Sequence, residues 1–217
     1  MRPATEKIPK SLLEAADEPF IAHQLRLLAG QGVMRIVICA GFLGEQIEAF
    51  VGDGARFGCE VSYSYDGETL LGTGGALKRA LPLLGDSFFV MYGDSYLDIA
   101  YAPVYKDFLA SGQPALMTVF RNEGRWDTSN VEFTEGRIRS FNKVTRTPAM
   151  AFIDYGLGVL RAGMIAPIPN NAVVDLADIY RDLAAAGQLA GHEVTNRFYE
   201  IGSAAGLAET DAYLRSK

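Results

Sequence analysis

Gly72-Thr73-Gly74-Gly75 and Asp94 are separated by one helix-length segment and one apolar run, Phe88-Phe89-Val90-Met91-Tyr92-Gly93. A glycine-rich turn and a carboxylate placed in this way can hold a phosphate beside a metal ion. The turn would free backbone N–H groups at a helix N-terminus for phosphate oxygens. The strand would carry Asp94 to the sheet edge where ligands of α/β folds bind.

Other phosphate motifs are absent. The dinucleotide pattern G-x-G-x-x-G needs glycine at position 77, where Leu77 stands, and a Walker A loop needs a Gly-Lys pair that the chain lacks. His23 and His192 are isolated, which suits structural or surface roles better than a zinc pair or a triad. Cys39 and Cys59 form no disulfide framework and lack metal-ligand spacing, so a reducing, cytoplasmic setting is expected.

The elements that must position these residues follow from periodicity. Ile21, Leu25 and Leu28 recur at helical spacing over residues 19–28, and residues 35–40 form a β-branched run that suits a strand covered on both sides. A helix over 44–51, a strand over 59–65, a helix over 76–84 and a buried strand over 88–92 continue the alternation. Residues 101–110 read as a helix and 115–120 as a strand. The alternation predicts an α/β fold with a mostly parallel sheet flanked by helices. Beyond it, residues 130–133, 137–142 and 151–160 read as antiparallel strands that form a substrate-binding sub-sheet. A helix over 178–186, a last strand over 193–201 and a helix over 205–214 close the chain.

With 217 residues, 49% of them hydrophobic, the sequence suits a single domain over 1–217. Net charge is −6 without a basic block, which argues against a nucleic-acid partner. Residues 1–10 lack the apolar core of a signal peptide, and no stretch is apolar for the length of a membrane span.

Six stretches together carry a resemblance to a known family. They are Arg2-Pro3 with Thr5 and Pro9-Lys10, residues 71–77, Tyr92-Gly93-Asp94, Phe141-Asn142-Lys143, residues 153–158, and residues 198–203. In this order they resemble the sugar-1-phosphate nucleotidylyltransferases, above all the heptose- or mannose-1-phosphate guanylyltransferases and the muramate-phosphate uridylyltransferases. The resemblance implies a Rossmann-like sheet, a nucleotide-binding half (1–120) and a sugar-phosphate-binding half (121–217), and a Mg²⁺-dependent reaction between a nucleoside triphosphate and a sugar 1-phosphate.

It also implies roles. Asp94 and Glu200 would bind the metal, although many relatives carry the shorter aspartate at the second position. Lys10 would steady the triphosphate, and Gly72, Thr73, Gly74 and Gly75 would admit the base and ribose. Lys143 would meet the sugar phosphate, with Asn142 in place of a glutamate that bonds a sugar hydroxyl. Asp154 and Gly156 would line the sugar. Plainer readings stand beside these: solvated lysines, a turn-forming Asp94, a surface Glu200, a tight turn over 72–75, and a β-bulge at 154–156.

Family members normally open with an apolar strand and a Gly-x-Gly-Thr-Arg loop before the Arg-Pro pair. The sequence is therefore expected to lack a central strand and part of the phosphate cradle, leaving two open sheet edges and room for a homo-oligomer. Two other functions follow as alternatives. One is a truncated, weak or silent relative that binds a nucleotide or nucleotide-sugar. The other is a glycosyltransferase, which usually places two aspartates at i and i+2, unlike Asp94-Ser95-Tyr96.

Overall fold

The computed structural model describes residues 4–126 and 128–217; Arg2 and Pro3 of the N-terminal string lie outside them. The first stretch holds β1 (Glu14–Ala15), β2 (Glu18–Pro19), α1 (Phe20–Gly30), β3 (Arg35–Ala40), α2 (Gly44–Val51) and β4 (Glu60–Tyr65). Next come α3 (Gly72–Ala80), β5 (Ser87–Met91), β6 (Ser95–Tyr96), α4 (Tyr101–Ser111) and β7 (Ala115–Arg121). The remainder forms β8 (Val131–Thr134), β9 (Arg137–Phe141), β10 (Phe152–Arg161), α5 (Ala162–Ile165), α6 (Leu176–Ala185), β11 (Leu189–Val194), β12 (Tyr199–Glu200) and α7 (Ala204–Arg215).

Two compact units divide the chain. The first takes Met1–Leu70, Tyr92–Asp98 and Phe198–Lys217, and the second takes Leu71–Met91 and Ile99–Arg197. In the first, β3 and β4 pair in parallel from Arg35 opposite Glu60 to Ala40 opposite Tyr65. The apolar stripe of α1 buries Ile21 and Leu25 with Val51, Phe57 and Val61, as the 3.6-residue period requires. A second cluster joins Phe20, Tyr96 and Ile201 to Leu207 and Tyr213, and it fastens α7 to the short antiparallel pair β6–β12.

The second unit is built on a six-stranded sheet in the order β5-β10-β7-β11-β9-β8. Successive strand residues point to opposite faces, and residues 115–120 of β7 are all buried, so this strand is covered on both sides. Met117, Val119, Ile138, Phe141, Leu176, Tyr180 and Leu183 form the core between the sheet and α6.

The α/β class and the antiparallel sub-sheet are as expected. Parallel pairing within the described residues is confined to β3–β4 and β7–β11, because β10 runs antiparallel between β5 and β7. Four local expectations change. The helix placed at 76–84 begins at Gly72 and ends at Ala80, followed by the tighter turn Leu81–Leu83. The single strand over 193–201 is two, β11 and β12, which join different sheets. Residues 35–40 are not covered on both sides: Arg35 and Cys39 are exposed, and every residue of β5 is only half-buried. Among the described residues β3 pairs with β4 alone and β5 with β10 alone, so each has the partial exposure of an edge strand.

Candidate functional site

Lys10 opens the short turn Lys10–Leu12, fixed by the Leu12 N–H donating to Pro9 O (2.9 Å) and the Leu13 N–H donating to Lys10 O (3.0 Å). Asp94 lies in the turn before β6, where the Ser95 N–H meets Tyr92 O at 3.2 Å. Gln24, buried on α1, braces that turn by donating from Nε2 to Tyr92 O (3.3 Å) and Ser95 O (2.8 Å). The two charges meet: Lys10 Nζ donates to Asp94 Oδ2 at 3.1 Å. Their side chains are 39% and 36% exposed, and an ion pair so open to water is worth about 0–1 kcal/mol, weak enough for a ligand to exchange.

Glu200 joins them through the sheet. It pairs with Ser95, and the Ile201 N–H donates to Asp94 O at 2.9 Å. Its carboxylate accepts from the Gly202 N–H and, at 2.9 Å, from the Ser203 hydroxyl, while Ser203 Oγ caps α7 by accepting the Gly206 N–H at 2.9 Å. The extra methylene of glutamate thus lets the carboxylate fold back onto the start of α7, where N-terminal N–H groups favour an anion. A Cβ at Gly202 would lie 2.5 Å from Glu200 Oε2 and 3.6 Å from Asp94 Oδ2, and one at Gly206 would overlap Glu200 Oε1. Glycine at both positions keeps the space beside the two carboxylates open. Among the described residues no group of three or more His, Cys, Asp or Glu converges as a metal cage. Two carboxylates nonetheless fit Mg²⁺, which commonly takes one or two protein carboxylates and completes its shell with phosphate oxygens and water.

In the second unit the glycine turn differs from the phosphate cradle expected of it. The N–H groups of Gly74 and Gly75 donate to Val174 O at 2.8 and 3.2 Å, and the Val174 N–H donates to Leu71 O at 2.9 Å. Those two donors are consumed within the fold. What glycine provides instead is closeness: a Cβ at Gly72 would stand 2.6 Å from Val174 O, and one at Gly75 would overlap Ala172 O. Gly72 also has φ +71°, a left-handed conformation that glycine adopts without steric cost. Thr73 completes the lock by donating to Asp175 Oδ1 (2.9 Å) and accepting the Leu176 N–H (2.8 Å), while Asp175 caps α6 through the Ala177 N–H (2.9 Å).

The sugar-side residues gather around Asn130. The Asn142 N–H donates to Asn130 O at 3.0 Å, and the Asp154 N–H donates to Asn130 Oδ1 at 3.1 Å. Asn142 Oδ1 accepts both the Val144 and Thr145 N–H groups at 2.8 Å. Asp154 and Gly156 form the bulge that the plainer reading foresaw: the β10–β7 register shifts between Asp154 and Gly158, Gly156 has φ +98°, and its N–H meets Asp154 Oδ1 at 3.0 Å. Burial pushes the Asp154 carboxyl above the usual carboxylate range, against the opposing pulls of the Gly156 N–H and the Lys143 charge. Asp175 is held below that range by the Ala177 N–H first, with Thr73 and Lys143 adding to the effect against burial. Lys143 is therefore felt by both carboxylates.

The first unit brings Lys10, Asp94 and Glu200 together, and the second holds Gly72–Gly75, Asn142, Lys143, Asp154 and Gly156. Sequence reasoning passed over Gln24, Asn130, Asp175 and Ser203. For Gln24 a signal existed, a polar residue on the stripe of Ile21, Leu25 and Leu28. The partners of the others could not be inferred from spacing.

The chain resembles known proteins along nearly its whole length. The chain is 29% identical over 216 residues to the N-acetylmuramate alpha-1-phosphate uridylyltransferase of Neisseria meningitidis serogroup B, covering 98% of this chain and 92% of that protein. It is 26% identical over 208 residues to the mannose-1-phosphate guanylyltransferase catalytic subunit beta of Danio rerio, covering 93% of this chain and 58% of that one. The crystal structure of HddC from Yersinia pseudotuberculosis complexed with GMP-PN shares the fold, with a TM-score of 0.79 and 19% identity over 99% of this chain and 93% of that one. The sequence profile described as nucleotidyl transferase matches residues 1–212, and the chain belongs to that family.

Proposed function

We propose that this protein transfers a nucleotidyl group from a nucleoside triphosphate to a sugar 1-phosphate, with Mg²⁺, giving a nucleotide-diphospho-sugar and pyrophosphate. The observation that carries the reading is the meeting of Lys10, Asp94 and Glu200 in a chain matched to the nucleotidyl transferase family over residues 1–212. Two relatives whose names give different bases, uridylyl and guanylyl, both act by name on sugar 1-phosphates, which supports the same acceptor class here.

In this reaction an oxygen of the sugar phosphate attacks the α-phosphorus. The bond to the β-phosphate bridging oxygen breaks, and its electron pair leaves with pyrophosphate. A Mg²⁺ held by Asp94 and Glu200 would neutralise phosphate oxygens as charge moves to the leaving group. Lys10 exchanges Asp94 for the triphosphate, a low-cost swap for so exposed a pair. Lys143 neutralises the sugar phosphate, and Asn142, Asp154 and Gly156 face the sugar. Gly72, Thr73, Gly74 and Gly75, packed closely on Ala172–Leu176, would hold the wall of the base and ribose site rather than cradle a phosphate. No helix among the described residues is long and apolar enough to cross a membrane, and the two free cysteines suit the cytoplasm as the place of reaction.

The test is pyrophosphate release from ATP, GTP, CTP, UTP and dTTP with Mg²⁺ and a panel of hexose and heptose 1-phosphates. One base should be turned over, and Asp94→Asn should lower the rate by about 100-fold or more. Turnover unchanged by that substitution would remove the metal assignment. Thermal stabilisation by a nucleotide without any pyrophosphate would favour the silent binding relative instead.

A further inference from the structure

Ser203, Gly206 and Thr210 stand at i, i+3 and i+7 from the N-cap of α7 onward, the spacing that puts residues on one stripe of a helix. All three meet Glu200. The Ser203 hydroxyl donates to Oε1 at 2.9 Å, and Thr210, fully buried, donates from Oγ1 to the Glu200 carbonyl oxygen, also at 2.9 Å. Between them Gly206 carries no side chain, and a Cβ there would run into Oε1. A hydroxyl has one proton to give, and buried Thr210 gives it to Glu200 O. Thr210 thus fixes the backbone of Glu200, Gly206 leaves the room into which its side chain folds, and Ser203 holds the carboxylate at the end of that fold.

An ionised carboxylate has about four lone-pair sites on its two oxygens. Ser203 fills one on Oε1 and the Gly202 N–H one on Oε2, so each oxygen keeps a site for a further ligand. The folded posture does not turn the group away from Asp94: the point where a Cβ of Gly202 would stand is 2.5 Å from Glu200 Oε2 and 3.6 Å from Asp94 Oδ2. We propose that Ser203 is a positioning residue for the metal. Its hydroxyl holds Glu200 in the posture from which the carboxylate binds the divalent cation, with Thr210 fixing the strand end behind it. This rests on the metal pair of the transferase reading. A glutamate without that hold would spread over several rotamers, and a ligand that needs one of them binds more weakly by the fraction lost. Partners of this kind behind a metal ligand typically contribute about 10–100-fold in affinity.

Ser203→Gly separates positioning from capping, because glycine is itself accepted at an N-cap at little cost while the hydroxyl is lost. Mn²⁺ serves as the probe in place of Mg²⁺, and its binding to the protein alone is read from the loss of the free-ion signal in electron paramagnetic resonance. In Ser203→Gly the Mn²⁺ dissociation constant should rise about tenfold or more, with the melting temperature nearly unchanged. In turnover the same variant should need about tenfold more Mg²⁺ for half-maximal pyrophosphate release, with kcat at saturating Mg²⁺ near the parent's. Ser203→Thr, which keeps a hydroxyl, should return both quantities toward the parent. Thr210→Val should weaken Mn²⁺ binding in the same direction, and Thr210→Ser should restore it.

Mn²⁺ binding unchanged in Ser203→Gly, or a parent that binds no Mn²⁺, overturns the proposal. Tighter binding in that variant overturns it too, by showing that the hydroxyl competes with the metal for Glu200. Absence of turnover with every nucleotide, beside Mn²⁺ binding that depends on Ser203, would instead remove the transferase reading and leave the positioning role standing.

Discussion

Asp154 shows how burial can set a carboxyl against the fold. Burial raises its carboxyl, so the folded protein holds a proton that the unfolded chain has already lost over the window between the two pKa values. Stability from this residue therefore falls as pH rises through that window, and the charged form is carried at full cost above it. Asp154→Asn keeps an oxygen for the Gly156 N–H and drops the charge. It should raise the melting temperature at neutral pH by about 2–4 °C, the equivalent of about 1 kcal/mol in a chain this long, and calorimetric scans should show the gain vanishing below the ordinary carboxylate range. A gain that persisted in acid would assign the effect to packing. That Lys10, Asp94 and Glu200 come together was legible because each stands at a motif position. The posture of Glu200 was not, since folding back onto Gly202 and Ser203 depends on where α7 starts.

At the scale of elements, periodicity found the long helices and the buried strands, and it failed where chain segments distant in sequence decide. The first turn of α3 is the clearest case. Four residues with poor helix propensity are helical because Ala172–Val174 lies against them and Val174 O accepts the N–H groups of Gly74 and Gly75. Gly75→Ala should therefore cost about 1–3 kcal/mol, as its Cβ would meet backbone that cannot step aside. Gly30→Ala, at the end of α1 with nothing within 4 Å of the new methyl, should gain up to about 1 kcal/mol. Urea unfolding of both variants checks the contrast, and equal effects would refute the close-approach account. The division of 193–201 into two strands was illegible for the same reason: one half pairs with β7 and the other with β6.

The whole molecule separates into units that cut across the order of the sequence. Periodicity could not join Tyr92–Asp98 to Phe198–Lys217, and only the family resemblance set Asp94 with Glu200, because the joining contacts are Tyr96 and Ile201 with α7 in one apolar cluster, and the backbone pairing of β6 with β12. A chain ending at Arg197 should keep the six-stranded sheet and lose order around Asp94. Hydrogen exchange would show protection retained in β7 and β10 but lost at Ser95 and in α1 near Gln24. Uniform loss of protection would mean that the second unit does not stand alone.

The same interleaving sets a clock during biosynthesis. Ribosomes add about 5–20 residues per second from the N-terminus, so Lys10 and Asp94 are made well before Glu200. All residues of the second unit have been made once Arg197 is added, whereas the first still lacks Phe198–Lys217. A nascent chain at that stage has no strand to set beside β6 and no second carboxylate. It cannot set Glu200 beside Asp94, so under the proposed function half-made polypeptides in the cell should leave the nucleotide pool untouched.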